Sequence, residues 1–161
     1  PPDDINVRPA DTTPAPPAGY PFIHSAPDGS RIKDPKFGDH PDAQGLAFVD
    51  PAIRVQAHAA VLGMSFYRGE QFPAPFSNAL FVAEHGSWNR SKKVGYQVSV
   101  ATFDSAGRPT YQPFITGWLE GQKAWGRPND VLPTPDGRLL VSDDKAGVIY
   151  RVSATKPLAA L

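Results

Sequence analysis

The chain has 161 residues, a length that fits one ordinary domain or a piece of a larger one. Its 16 basic and 16 acidic side chains give a formal net charge of zero, so no long-range field favours nucleic acid or an anionic membrane. Cysteine is absent, which excludes disulfide bonds, thiolate metal sites and cysteine nucleophiles, and no apolar stretch reaches the roughly 18 residues of a membrane span.

The amino-terminal part of the chain is the least regular. The sequence contains 19 prolines and 14 glycines, which disfavour long helices because an interior proline costs about 3 kcal/mol. Residues 1–50 are therefore predicted to be a proline-rich irregular segment of loops, with a short strand over Tyr20–His24. The chain begins with Pro1 and its one methionine is Met64, which predicts a processed chain or an excised segment of a longer protein.

Residues 51–161 contain short apolar or alternating runs bounded by turn residues, a pattern typical of strands. The runs form two successive units, with predicted strands at Leu62–Tyr67, Ala79–Ala83, Tyr96–Phe103 and Tyr111–Ile115 in the first, and at Asn129–Leu132, Arg138–Ser142 and Val148–Val152 in the second. Successive antiparallel sheets of about four strands are typical of β-propeller blades, and a β-sandwich is the alternative. We therefore predict an all-β chain of propeller blades. Since roughly four to eight blades close such a ring, these blades need a partner segment or a different closure.

A polar run, His85-Gly86-Ser87-Trp88-Asn89-Arg90, lies between two predicted strands of the first unit. A guanidinium fork binds carboxylates, an indole stacks on flat rings, and an imidazole and an amide bind carbonyl oxygens. The run therefore suits a flat anionic ring system. The alternative is a hairpin loop whose polar side chains satisfy backbone groups.

A second polar run, which contains Arg127, Pro128, Asn129 and Asp130, lies at the entry to the first strand of the second unit. In a propeller, this position faces the central axis, where ligands bind. Proline fixes the backbone just before the strand and would hold its neighbours in place. Arg127 has no local carboxylate partner, which favours a ligand role, whereas Asp130 is expected to cap a turn by accepting from local backbone amides.

Three further acidic or imidazole side chains are candidates. Asp143 and Asp144 end a predicted strand, where they either bind a metal or act in acid/base chemistry, or cap the hairpin and pair with a nearby cation at the surface. His58 precedes the first unit's first strand, as Arg127 precedes that of the second. It is therefore either a packing residue or a ligand.

These segments together resemble the pyrroloquinoline quinone (PQQ)-dependent glucose/sorbosone dehydrogenases, a family of soluble aldose dehydrogenases. The segments that carry the resemblance are Ala57–Gly63, His85–Ser91, Gly95–Tyr96, Trp125–Pro128 and Pro135–Asp144. The similarity is close from about His58 to Val152 and faint before that. The resemblance implies a six-bladed propeller, of which this chain supplies about two to three blades from the carboxy-terminal part.

The resemblance also implies an activity, namely oxidation of a sugar by hydride transfer to PQQ, with electrons passed to an external acceptor. Arg90 and Arg127 would contact the carboxylates or quinone oxygens of the cofactor, His58 would face the same plane, and His85 and Asn129 complete the implied cofactor-binding set. Family members often carry a second basic residue where this chain has Asn129, and an uncharged amide there weakens anion binding.

Other parts of the implied enzyme lie elsewhere in the family's fold. The general-base histidine and most ligands of the implied calcium ion belong to earlier blades, so this segment alone is expected to be inactive and to need the amino-terminal blades as its partner. The implied location is periplasmic or secreted.

Two other functions compete with this one. Arg127–Val131 with Pro135–Gly137 also resembles the metal-binding segment of gluconolactonase-type propeller hydrolases, in which Asn129 would ligate a divalent cation and no quinone would bind. The third hypothesis is a propeller-derived binding module without catalytic chemistry.

Overall fold

The computed structural model describes residues 2–8, 10–26 and 28–154. They form two compact units, one up to His58 and one from Ala59 onward. The predicted division after residue 50 stays a prediction. The described residues are all-β with antiparallel pairing, and their helical structure is limited to two short 3₁₀ turns, Pro41–Ala43 and Ala74–Phe76.

The first unit contains two small antiparallel pairs of strands. Strand β1 (Asp3–Ile5) pairs with β4 (Ile53–Val55), and β2 (Ile23–Ser25) pairs with β3 (Arg31–Lys33). The strand predicted over Tyr20–His24 begins later because the amides of Phe22 and Ile23 donate to the Gly19 carbonyl, at 2.8 and 2.9 Å, and form a turn there. The loop predicted at β3 was wrong, since the Ala26 amide donates to the Ser30 carbonyl and closes a hairpin.

The second unit contains a four-stranded and a three-stranded antiparallel sheet. The first has the order β5 (Val61–Phe66), β6 (Leu80–Glu84), β7 (Gln97–Phe103), β8 (Pro109–Ile115), and each strand overlaps the predicted one. A small hairpin of β9 (Leu119–Glu120) and β10 (Lys123–Ala124) leads to the second sheet, β11 (Pro128–Pro133), β12 (Leu139–Asp143) and β13 (Val148–Val152). Among the described residues the first sheet thus has the four strands, and the second sheet the three strands, that the sequence predicts for the two units. The number of blades in a complete ring stays a prediction.

The two sheets of the second unit share one hydrophobic core. Its buried members from both sheets include Phe81, Ala83, Val98, Val100, Val131, Leu139 and Val141. The Tyr67 hydroxyl joins the sheets, because it donates to the Gly137 carbonyl at 2.6 Å and accepts from the amides of Gln71 and Phe72, each at 3.1 Å. This contact lies where β5 and β11 end and β12 begins, and together with the shared core it holds the two sheets against each other.

No helix among the described residues has the length and apolar character needed to cross a membrane.

Candidate functional site

Three chain segments meet at one end of the two packed sheets. His85 follows β6 directly, Arg127 precedes β11, and Asp144 follows β12. Because β11 and β12 are antiparallel neighbours, with Pro128 opposite Asp143, the start of one strand meets the end of the other. The side chains of these three residues form a connected group with Tyr96 and Ser87, which we call the Arg127 cluster.

The guanidinium of Arg127 is the centre of this cluster. Its Nη2 lies 3.1 Å from the Tyr96 hydroxyl and 3.3 Å from the Ser87 carbonyl oxygen, and its Nη1 lies 3.3 Å from Nδ1 of His85. Its central carbon lies 5.2 Å from the centroid of the Tyr96 ring, which is a cation–π distance. The half-buried side chain is therefore held in one direction by several contacts.

The charge of Arg127 is not neutralised inside the described part of the chain. No carboxylate among the described residues lies within ion-pair distance of the guanidinium. Its three hydrogen bonds leave the Nε–H and one Nη1–H without a partner there. A fixed cation with free donors is suited to an anionic ligand such as a carboxylate.

Asp143 holds the backbone of Arg127. Its Oδ1 accepts from the amides of Arg127 at 2.9 Å, Lys145 at 3.1 Å and Ala146 at 2.8 Å, and its Oδ2 accepts from the Tyr150 hydroxyl at 3.1 Å. Burial raises the pKa of the Asp143 carboxyl, but these hydrogen bonds outweigh burial and bring the pKa below its ordinary value. Asp143 thus caps the hairpin, as one of the two predicted alternatives has it, and also fixes the start of β11.

The residue before Arg127 must be small. A Cβ atom on Gly126 would lie 2.1 Å from Oδ2 of Asp143 and 2.4 Å from Cδ1 of Trp118. Glycine at this position therefore allows the Asp143 carboxylate to reach the Arg127 amide.

The strand that leads to His85 is anchored by a buried carboxylate. Glu84 is buried and accepts hydrogen bonds from the Ser99 hydroxyl at 2.6 Å, the Tyr111 hydroxyl at 2.8 Å and the Gln97 side-chain amide at 3.1 Å. Burial and the nearby Glu84 carboxylate both raise the pKa of Tyr111, so its hydroxyl stays a donor. Glu84 thereby links the end of β6 to β7 and β8.

The loop after His85 is buried and hydrogen-bonded at its base and exposed at its tip. Ser87 is buried, its amide donates to the Val94 carbonyl at 3.0 Å, and its hydroxyl accepts from the Val94 amide at 3.1 Å. The Tyr96 hydroxyl donates to the Ser87 carbonyl. In contrast, the Trp88 side chain is 81% exposed.

Gly86 supports Tyr96 and therefore Arg127. Its φ is +94°, and a Cβ atom there would lie 2.5 Å from three carbons of the Tyr96 ring. Gly86→Ala is expected to destabilise the protein by about 1–3 kcal/mol, since it combines a strained backbone with displacement of the ring. Urea unfolding measures this loss. The control is Gly107→Ala, at a φ of +74° where a Cβ atom would meet nothing within 4 Å. An equal loss in both variants would show that the Tyr96 contact is unimportant.

The structure brings together two of the five predicted site residues, His85 and Arg127. Asn129 lies half-buried in β11, and its side-chain amide has no hydrogen-bond partner among the described residues. Arg90 is half-buried in the loop that follows His85, where it makes contacts of its own. His58 belongs to the first unit, is exposed and has a φ of +69°. The binding of a cofactor by all five stays a prediction.

Several members of the site escape prediction from the sequence. Tyr96 and Ser87 lie among the residues that carried the family resemblance, but no local pattern assigns them to Arg127. Asp144 was expected to bind a metal or to pair with a surface cation, whereas its Oδ1 lies 2.8 Å from Nε2 of His85. Asp130 accepts from the Val131 amide at 2.8 Å, which agrees with the predicted local cap.

A metal site is not formed by the residues that the structure describes, since no group of three or more His, Asp or Glu side chains among them could hold an ion. Calcium, whose ligands were expected outside this segment, stays a prediction.

Comparison with protein-family models identifies the family of this chain. Residues 32–155, most of the chain, match the family described as TrAA12-like. The chain belongs to the TrAA12-like family. A relative from Borreliella burgdorferi, described as an uncharacterized protein, is 39% identical over 156 residues, which are 94% of this chain and 39% of the relative.

Two solved structures have a similar fold. A Trichoderma reesei structure of Carbohydrate-Active Enzymes Family AA12, determined with iodide, superposes with a TM-score of 0.75 at 20% identity and covers 96% of this chain and 44% of its own. The holo form of the pyranose dehydrogenase PQQ domain from Coprinopsis cinerea superposes with a TM-score of 0.64 at 23% identity and covers 85% of this chain and 40% of its own. The TrAA12-like chain thus has the fold of PQQ-type dehydrogenase domains and spans about two fifths of these relatives. Membership of the glucose/sorbosone family stays a prediction.

Proposed function

We propose that this chain is the part of a PQQ-dependent sugar dehydrogenase that binds the cofactor from one side. The observation that carries the proposal is the Arg127 guanidinium, which is fixed by Tyr96, Ser87 and His85 and is in no ion pair among the described residues. The fold relationship to a PQQ domain and to AA12 supports the choice of this anion over others.

The chemistry of the donor set suits this cofactor. PQQ is a planar tricarboxylate, and each free N–H group of the guanidinium, one on Nε and one on Nη1, would donate a charge-assisted bond to a carboxylate oxygen. The side-chain amide of Asn129, which has no hydrogen-bond partner among the described residues and lies two residues after Arg127, would supply a neutral donor or acceptor, and Arg90 would supply a second cation. When bound, PQQ supplies a quinone that accepts a hydride from the sugar.

The role of this chain in that reaction is to bind and orient. Arg127 would hold one anionic edge, and the aromatic Tyr96 below it would keep water from the other face of the guanidinium. We assign no proton transfer to the described residues. The general base, the calcium ligands, the sugar site and the site for the electron acceptor are expected in the rest of the enzyme, in a periplasmic or secreted protein.

The test is a cofactor titration of the full-length natural protein. Adding PQQ with calcium should give a saturable change in absorbance and quenching of tryptophan fluorescence, followed by dye reduction when aldoses are added. Lactone hydrolysis that needs a divalent metal and no quinone would instead support the gluconolactonase-like alternative. If the protein neither binds PQQ nor shows dye reduction or lactone hydrolysis, the proposal is contradicted. The remaining hypothesis is then a propeller-derived binding module without catalytic chemistry.

A further inference from the structure

We propose that Asp144 and His85 form a hydrogen-bonded relay that sets the direction of the Arg127 guanidinium, so that both are positioning residues and His85 is not itself a cofactor ligand. The inference rests on the proposed function, because it takes Arg127 to be the group that binds PQQ. Its physical basis is a chain of contacts that joins three separate loops.

The relay has one consistent pattern of hydrogen atoms. Nη1 of Arg127 lies 3.3 Å from Nδ1 of His85, and Nε2 of His85 lies 2.8 Å from Oδ1 of Asp144. A guanidinium can only donate, so Nδ1 must offer its lone pair. The ring hydrogen is then on Nε2 and is donated to the Asp144 carboxylate. Both ring nitrogens are therefore used by protein groups, which leaves neither for the cofactor.

Two consecutive carboxylates thus hold the two ends of one arginine. Asp143 accepts from the backbone amide of Arg127 at 2.9 Å, and Asp144 acts on the guanidinium through His85. A carboxylate that orients an imidazole, which in turn orients the functional group, is a common supporting arrangement around binding sites. The turn between β12 and β13 therefore sets both the position of the Arg127 backbone and the direction of its guanidinium.

The direction in which PQQ affinity changes when Asp144 is removed distinguishes a positioning role from a purely electrostatic one. Asp144 carries a negative charge on the same group of side chains that would receive a tricarboxylate. If its charge were its main influence, removing it would strengthen the binding of PQQ by reducing repulsion. If it positions Arg127 through His85, removing it weakens binding instead.

The experiment measures the Kd of PQQ by tryptophan fluorescence quenching in the full-length protein and in Asp144→Ala, Asp144→Asn and Asp104→Ala. Asp144→Ala is expected to weaken binding about 10-fold, which is the lower end of the loss seen when a group that orients a metal-ligating side chain is removed. Asp144→Asn is expected to lose less, because its side-chain carbonyl still accepts from Nε2–H. Asp104→Ala is the charge-matched control, since Asp104 pairs with Arg108 at an exposed turn, and it should leave Kd unchanged. Tighter or unchanged binding by Asp144→Ala would overturn the relay.

A second readout needs no cofactor. In the 15N spectrum of histidine-labelled protein without PQQ, His85 should show a protonated Nε2 and an unprotonated Nδ1, and this signature should be lost in Asp144→Ala. The side chain of Asp144 is 52% exposed, so the variant is expected to fold with an unchanged Tm. A spectrum in which the hydrogen of His85 is on Nδ1 would refute the relay, whatever the measured Kd of PQQ.

Failure of the relay and failure of the proposed function give different results. If Arg127→Ala binds PQQ as well as the unaltered protein does, the proposed function is wrong. If Arg127→Ala weakens binding while Asp144→Ala does not, Arg127 binds the cofactor without the relay, and only the inference of this subsection fails.

Discussion

Arg127→Ala is expected to weaken PQQ binding by about 1.5–3 kcal/mol, which is roughly 10- to 150-fold in Kd. The loss is this large because the guanidinium, held in place by its other hydrogen bonds, would donate charge-assisted bonds from two N–H groups. Titration of PQQ against the full-length variant, followed by tryptophan fluorescence, measures the change.

Two further variants separate charge from geometry at this position. Arg127→Lys keeps the charge but lacks the planar fork, so its Kd should lie between those of the unaltered protein and Arg127→Ala. Arg108→Ala removes a cation whose side chain is 82% exposed and which pairs with Asp104, so its Kd should not change. A loss of the same size in Arg108→Ala would indicate that the net charge of the protein, and not Arg127, governs binding.

The strands of the second unit are the part of the fold that the sequence predicts best. In β7, Val98 and Val100 are fully buried members of the core, and their spacing of two residues places them on the same face of the strand. Ser99 and Ala101 on the opposite face are fully buried as well, so this strand is covered on both faces. Alternation of apolar residues indicates a strand, and the turn residues between runs indicate where each strand ends. Both signals are local, which is why β5 to β8 and β11 to β13 were predicted close to their positions.

The short strands leave no such signal. Strands β9 and β10 have two residues each, and β1 to β4 have three, so none is long enough for a periodic pattern. Their existence depends on which backbone segments the fold brings side by side, as when β1 pairs with β4 about 50 residues later in the chain. Sequence patterns do not contain that information.

In the Arg127 cluster, too, local contacts were predictable from the sequence and long-range contacts were not. Asp143 caps its own hairpin through amides two and three residues away, and this role was among the predicted alternatives. In contrast, Arg127 meets His85 across 42 residues, and His85 meets Asp144 across 59. These contacts form only when the two sheets are packed against each other, so the residue types predicted an anion site while the geometry of the cluster was not predictable from the sequence.

Phe81→Ala is expected to destabilise the protein by about 3–5 kcal/mol, the usual cost of emptying a buried aromatic position. The Phe81 side chain on β6 is 0% exposed, and its ring lies 4.8 Å from the ring of Phe114, 5.8 Å from that of Tyr67 and 6.0 Å from that of Phe72, measured between centroids. Unfolding in urea, monitored by fluorescence, measures the loss. Phe103→Ala is the control, because Phe103 is 39% exposed and its truncation should cost much less.

This substitution also tests whether the packing of the aromatic core affects the binding of PQQ at the Arg127 cluster. Phe81 lies on β6, three residues before Glu84, and His85 follows this strand. None of the hydrogen bonds of Arg127 involves Phe81. If the hydrogen bonds of Glu84 hold the end of β6 by themselves, Phe81→Ala should lose stability while the folded fraction keeps its Kd for PQQ. A parallel loss of affinity under conditions where the variant is fully folded would instead mean that the aromatic core sets the distance between His85 and Arg127.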